Sequence, residues 1–345
     1  MNRKLSFLFV AALTAGMVSC KEDEEIIVTP PSDGKTQSLS GGSGGANAIN
    51  SVYIDLSTDR QDSVLRSSWD LGFYSGTDYR VILNNTTGAG AKVTNKTDFA
   101  QVGSADTVGL SLAPSQTNPQ ASDLQYFDDA SGNLTQTAIP AISATDADNK
   151  VVIINRGAGG GLAARAWMKV RVLRNSNGYT LQYAKLTETT FQSVTIPKDA
   201  DYNFKFASLD NGAIVKVEPK RNDWDLVWTY SIFKTSFGAG DVPYNFSDLV
   251  AINSLGLVQA AQVMTSTVSY ADYNESSVAS TTFSNNRWTI GSNWRVTTGT
   301  AGVRTDRFYV IKDAAGNVYK LKFVSFHPTD GGVRGYPVIE YKRVK

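Results

Sequence analysis

Only one cysteine, Cys20, and one histidine, His327, occur in the 345 residues. A single thiol cannot close an intrachain disulfide, and sulfur-based metal sites need several cysteines, so both are excluded. One imidazole leaves no histidine pair for zinc, and Ser-His-Asp catalysis has to run through His327 alone. That residue sits in Phe326-His327-Pro328, at the end of an expected strand and with no nucleophile elbow beside it. An excess of one charge is missing too: 33 Lys+Arg stand against 32 Asp+Glu, which leaves no field for nucleic acid. Gly157 to Gly161 (G-A-G-G-G) lacks the Lys-Ser or Lys-Thr that completes a phosphate cradle. Asp146-Ala147-Asp148-Asn149 lacks the later Gly and bidentate Glu of a calcium loop and reads as an acidic loop, as does Asp128-Asp129. The expectation is a protein without catalysis.

The apolar run near the N-terminus is short. Asn2-Arg3-Lys4, then Leu5 to Met17, then small residues up to Cys20 read as a signal peptide over 1–19, not a membrane span. Leu13 to Cys20 resembles a loose lipobox, which implies lipidation of Cys20 and attachment to the membrane through it. Lys21-Glu22-Asp23-Glu24-Glu25 resembles an export signal to the outer face of the outer membrane. The stretch 20–48, with Pro30-Pro31 and Gly41-Gly42-Ser43-Gly44-Gly45, reads as a flexible linker.

From Ala48 onward the chain is rich in strand pattern. It is 41% hydrophobic and 10% aromatic overall, ample for a core. Two stretches echo each other: Ser67-Ser68-Trp69-Asp70-Leu71-Gly72-Phe73 and Asn222-Asp223-Trp224-Asp225-Leu226-Val227-Trp228, their tryptophans 155 positions apart (224 − 69). Alternate residues of a strand share a face, so Trp69, Leu71 and Phe73 are expected on one side, as are Trp224, Leu226 and Trp228. Asp70 and Asp225 then point the other way, into structural hydrogen bonds. A second echo pairs Tyr179 with Tyr319, 140 positions apart (319 − 179). Asp210-Asn211-Gly212 marks a hairpin, and Asp248 to Met264 is the best helical candidate. A short helix is expected around Ala121 to Phe127 in an otherwise loop-like 84–149. Strands are expected at Trp288–Ile290 and Trp294–Val296. The fold expected is all-β, mainly antiparallel sheets in two units, 49–195 and 196–345, with long loops and at most short helices.

These runs carry a resemblance. W-D-L-G-F-Y-S-G-T-D-Y-R-V-I-L-N-N from Trp69, P-K-R-N-D-W-D-L-V-W to Trp228 and D-R-F-Y-V-I-K-D-A-A-G-N-V-Y-K-L-K-F to Phe323 resemble the HmuY-like family, over most of the chain after about Ile49. Its members are haem-binding surface lipoproteins of Gram-negative bacteria. The resemblance implies two HmuY-like units that bind haem or a porphyrin and pass it to a TonB-dependent receptor. In the family a His or Met pair comes from the hairpin after the second W-D strand and from the segment beyond it. Here Thr229-Tyr230-Ser231 has neither, and after the signal peptide only Met168 and Met264 remain. Met168 reads as packing, which leaves Met264 as candidate axial donor and Tyr230 or His327 as a second. The alternative is the same scaffold without haem ligation, binding a glycan, a siderophore-like ligand or a partner protein. The six tryptophans and 15 tyrosines suit flat ligands of either kind.

Overall fold

Apolar residues at every second position make most of this chain strand-forming. In the computed structural model, which describes residues 30–345, the fold is all-β. The signal segment, Cys20 and the acidic run lie outside the described residues. In chain order the strands are β1 (Gly34–Ser38), β2 (Asn50–Asp55), β3 (Arg60–Leu65), β4 (Leu71–Tyr74), β5 (Val81–Leu83), β6 (Gly90–Val93) and β7 (Val152–Asn155). Then come β8 (Met168–Asn175), β9 (Gly178–Lys185), β10 (Gln192–Pro197), β11 (Phe204–Ala207), β12 (Ile214–Val215) and β13 (Leu226–Ser236). The rest are β14 (Asp241–Ile252), β15 (Gln259–Met264), β16 (Arg295–Val296), β17 (Gly302–Val303), β18 (Arg307–Lys312), β19 (Val318–Ser325) and β20 (Val338–Arg343).

Of five antiparallel sheets, four stack in layers and the fifth is the two-stranded β16-β17. The outer sheets are β1-β20-β19-β18-β15 and β10-β9-β8-β7-β6, and the inner ones β14-β13-β2-β3 and β12-β11-β4-β5. Period-two alternation assigns each residue its layer. In β2 and β13, Val52, Ile54, Leu226 and Trp228 join Tyr309, Tyr319 and Tyr341 of the outer sheet in one core. Tyr53 and Val227 turn inward to meet Phe204 and Phe206 in the central core. Leu71, Phe73, Val81 and Leu83 face the opposite outer sheet with Val170, Tyr179 and Leu181. Met168 packs in that same core.

The two W-D strands are repeats in hydrogen-bond detail. Asp70 N–H donates to Ala207 O, and Asp70 Oδ2 accepts from Leu209 N at 2.7 Å. Asp225 N–H donates to Ile54 O, and Asp225 Oδ2 accepts from Leu56 N at 2.8 Å. Asn84 Nδ2 bridges Arg66 O and Trp69 O; Asn253 Nδ2 bridges Arg221 O and Trp224 O. Each half borrows its neighbour strand from the other: β2 pairs with β13, and β11 with β4.

Several expectations are corrected. Strand pleating starts only at Leu71 and Leu226, because each aspartate bonds to the end of the adjacent strand. Trp69 and Trp224 therefore leave the face of Leu71 and Leu226 and meet in the central core. The Tyr179–Tyr319 echo joins strands that are not equivalent. Lys169 on β8 and Lys320 on β19 are the matching pair, each third in its outer sheet from the strand that follows a W-D hairpin. Both are buried with the ammonium on backbone carbonyls: Lys169 on Phe99, Val102 and Leu186, Lys320 on Tyr270, Ala271 and Tyr273. The helix expected over Asp248–Met264 is absent. Leu249 to Ile252 instead pair with Leu226 to Thr229, and a 3-10 turn, Ser254–Gly256, leads into β15. At Ala121–Tyr126 the turn is 3-10, and of the strands expected at Trp288–Ile290 and Trp294–Val296 only Arg295–Val296 forms. From Gly34 the expected linker is ordered, since β1 pairs with β20 and Leu39 is buried in the core.

Candidate functional site

Where the two inner sheets face each other, the repeat leaves a cavity. Its walls are two matched edge-to-face pairs: Trp69 against Phe206 at 4.8 Å, and Trp224 against Tyr53 at 5.0 Å. Such pairs hold their rings in fixed planes. The cavity measures about 110 Å³, several times the volume that one water needs. The segment 128–137 covers one side and is tied down by Trp288 Nε1, which donates to Ala130 O at 2.6 Å.

Five ionisable groups line this space: Tyr53, Asp128, Asp129, Glu218 and Arg287. Asp128 accepts N–H bonds from Leu83 at 2.6 Å and Ala138 at 2.9 Å, and burial still pushes its carboxyl up to about 7. Glu218 accepts from Phe204 N at 2.7 Å, and burial pushes it up to about 8. Desolvation dominates both because a charge loses more solvation there than the backbone N–H bonds return. Arg287, half-buried, stands near both acids, and its side chain makes no hydrogen bond or ion pair among the described residues. Three further polar atoms are buried here without a partner among the described residues: Trp224 Nε1, Asn203 Oδ1 and Asn85 Oδ1. Their residues also line the cavity.

The donors expected from the sequence lie elsewhere and are not brought together. Tyr230 sits where the β13–β14 register breaks, opposite Ser247 and Asp248. Its ring lies beneath the buried Arg66 guanidinium at 4.7 Å, and burial raises its phenol. The Gly157–Gly161 run finds its use here. A Cβ on Gly159 would lie 2.9 Å from Thr87 O and 3.1 Å from the Tyr230 ring, so only glycine fits. Met264 ends β15 opposite Arg307, with its Sδ 3.6 Å from Gln262 Nε2. His327 caps the 3-10 turn Pro328–Asp330, its Nδ1 2.7 Å from Thr329 Oγ1. None of the three lines the central cavity. Haem held axially needs one or two such donors over its slot. The cavity has no His or Met, and the phenol of its tyrosine, Tyr53, is kept neutral by burial. The residues of the central cavity do not fit an axially ligated haem.

A second surface lies along the long β13–β14 hairpin. Phe237, Tyr244, Phe246, Phe233 and Trp288 form a continuous row with centroid spacings of 5.2, 5.6, 5.1 and 5.5 Å. Phe237 is exposed, and with Tyr244 it faces Gln116, Thr117 and Pro119 across an open cleft. Sequence pattern singles out neither Glu218 nor Arg287. Glu218 stands between Val217 and Pro219, and one acid beside an apolar residue is the only signal it carries.

Among known proteins, the family model described as HmuY protein matches residues 47–341. No curated protein and no solved structure matches.

Proposed function

We propose that this chain, which belongs to the HmuY family, is a non-catalytic, surface-exposed outer-membrane lipoprotein, anchored through Cys20, that binds haem or a related porphyrin and passes it to a TonB-dependent receptor. No helix among the described residues is long and apolar enough to cross a membrane. The observation that carries the ligand class is the aromatic row on the β13–β14 hairpin, which offers flat apolar faces on the element that follows the second W-D strand. Met264, Tyr230 and His327 do not converge, so the porphyrin is held chiefly on those faces. Tyr230 is the one of the three that belongs to the hairpin.

A haemin titration of the chain beyond Cys20, oxidised and with dithionite, tests this. A saturable Soret change is expected, weakened several-fold in Phe237→Ala and unchanged in Met264→Ala and His327→Ala. Loss in Met264→Ala alone would replace stacking by axial ligation. No Soret change in either redox state would end the porphyrin reading. The second reading, the same scaffold binding a glycan, a siderophore-like ligand or a partner protein, draws on the absence of a gathered donor pair, and glycan and siderophore screens address it.

A further inference from the structure

We infer that the central cavity between Trp69 and Trp224 is a separate ligand site, built for a small aromatic carboxylate that also carries a hydrogen-bond donor. It does not rest on the porphyrin reading. Arg287 is the anchor. A half-buried guanidinium with no hydrogen bond or ion pair among the described residues is a free bidentate site for a carboxylate. The groups around it do not neutralise it. Asp128 has both oxygens on backbone N–H groups, Glu218 has one so occupied, and burial favours the neutral form of both. Burial holds Tyr53 protonated, and Asp129, the remaining titratable group of the lining, accepts from Ser131 Oγ through Oδ2. Arg287 is therefore left at the cavity wall with no side-chain partner among the described residues.

The ring and its donor are set by the remaining walls. Trp69 and Trp224, each packed edge-to-face with its partner ring, line the space between the sheets. Trp224 is 8% exposed and Asn203 1%, yet Trp224 Nε1 and Asn203 Oδ1 have no partner among the described residues. Native proteins rarely bury such atoms unsatisfied. One is a donor that a carboxylate accepts from, and the other an acceptor that a phenol or amine on the ligand satisfies.

The probe is 4-hydroxyphenylacetate, measured by calorimetry against the same chain, with 4-hydroxyphenylacetamide as its uncharged counterpart. The acid is expected to bind saturably and the amide at least ten-fold more weakly. Arg287→Gln should lose most of that difference, Arg287→Lys should recover part of it, and Trp224→Phe should weaken binding a few-fold. Thermal melts of each variant separate loss of site from loss of fold. Equal binding of acid and amide, unchanged binding in Arg287→Gln, or no binding of the acid at millimolar concentration would each overturn the proposal. The haemin Soret titration should be unaffected by Arg287→Gln and by excess acid. Displacement of haemin by the acid would show one shared site and overturn the separation made here.

Discussion

Each W-D strand begins by burying a carboxyl, Asp70 in the first copy and Asp225 in the second, and each carboxyl accepts an N–H two residues beyond the borrowed strand's bonded carbonyl. Their charged surroundings differ. Asp70 meets Arg156 through two bonds of 2.9 and 2.8 Å and Arg165 at 3.0 Å. Asp225 has no cation beside it among the described residues; its charged neighbours there are Asp55 and Asp313, and burial pushes it up to about 8. One motif has thus been completed by charge pairing in the first half and by protonation in the second. The backbone geometry belongs to the repeat, and the electrostatics belong to each copy.

The comparison breaks most visibly at Asp70. Asp70→Asn leaves half-buried Arg165 without its anion and buried Arg156 with Asp210 alone, and breaking a buried pair costs about 3–5 kcal/mol. Asp225→Asn at pH 5 should cost less than about 1 kcal/mol, because the amide oxygen still accepts Leu56 N–H and its NH₂ replaces the acid's own O–H. Urea melts of the two variants side by side check this, and similar losses would mean that Asp225 is also paired.

The pH dependence gives the same contrast with opposite consequences. Asp225, Glu218 and Asp128 are raised in the folded state above ordinary carboxyl values. The native state therefore holds protons that the unfolded chain releases. The stability they contribute is complete below about pH 4 and is lost as pH climbs through about 7 to 8, at up to about 1.4 kcal/mol per pH unit per group. The melting temperature should fall between pH 5 and pH 9, and Asp225→Asn should flatten that fall. A variant that keeps the wild-type slope would place the titration at Glu218 and Asp128 alone.

Lys169 and Lys320 sharpen the repeat where its copies agree. Each ammonium holds three carbonyls, so Lys→Met at either should cost about 1–3 kcal/mol by leaving buried acceptors unpaired. Near-equal losses in melts are expected, and a large inequality would show that the two loops are not held alike.

How much of this is legible in sequence depends on range. The W-D-L strands, the Asp210-Asn211-Gly212 turn and the alternation in β18 to β20 are local patterns and can be read directly. The exchange of β2 and β11 between halves is pairing between residues well over a hundred positions apart, and no local pattern encodes it. Leu249 to Ile252 suggest a helix because a short apolar run suits either period; the pairing with β13 decides it. The tryptophans read onto the wrong face because a side-chain hydrogen bond, invisible in the pattern, shifts where pleating begins. Met264, Tyr230 and His327 stand out by donor chemistry alone, which says nothing about convergence. Arg287 and Glu218 become a site only because stacked sheets bring them to one space.

The smallest effect comes from making the two halves alike. Tyr53 and Phe206 fill matching places against Trp224 and Trp69, and they differ by one hydroxyl, for which the described residues provide no hydrogen-bond partner. Tyr53→Phe should therefore change stability by less than about 0.5 kcal/mol, well under the usual worth of a hydrogen bond. If the phenol serves the cavity and not the fold, the change should appear in calorimetry with 4-hydroxyphenylacetate while the melt stays put. A loss above about 1.5 kcal/mol, the upper end for a net hydrogen bond, would instead make the hydroxyl part of the second half's framework, and the aromatic pairs would then differ in kind, as the aspartates do.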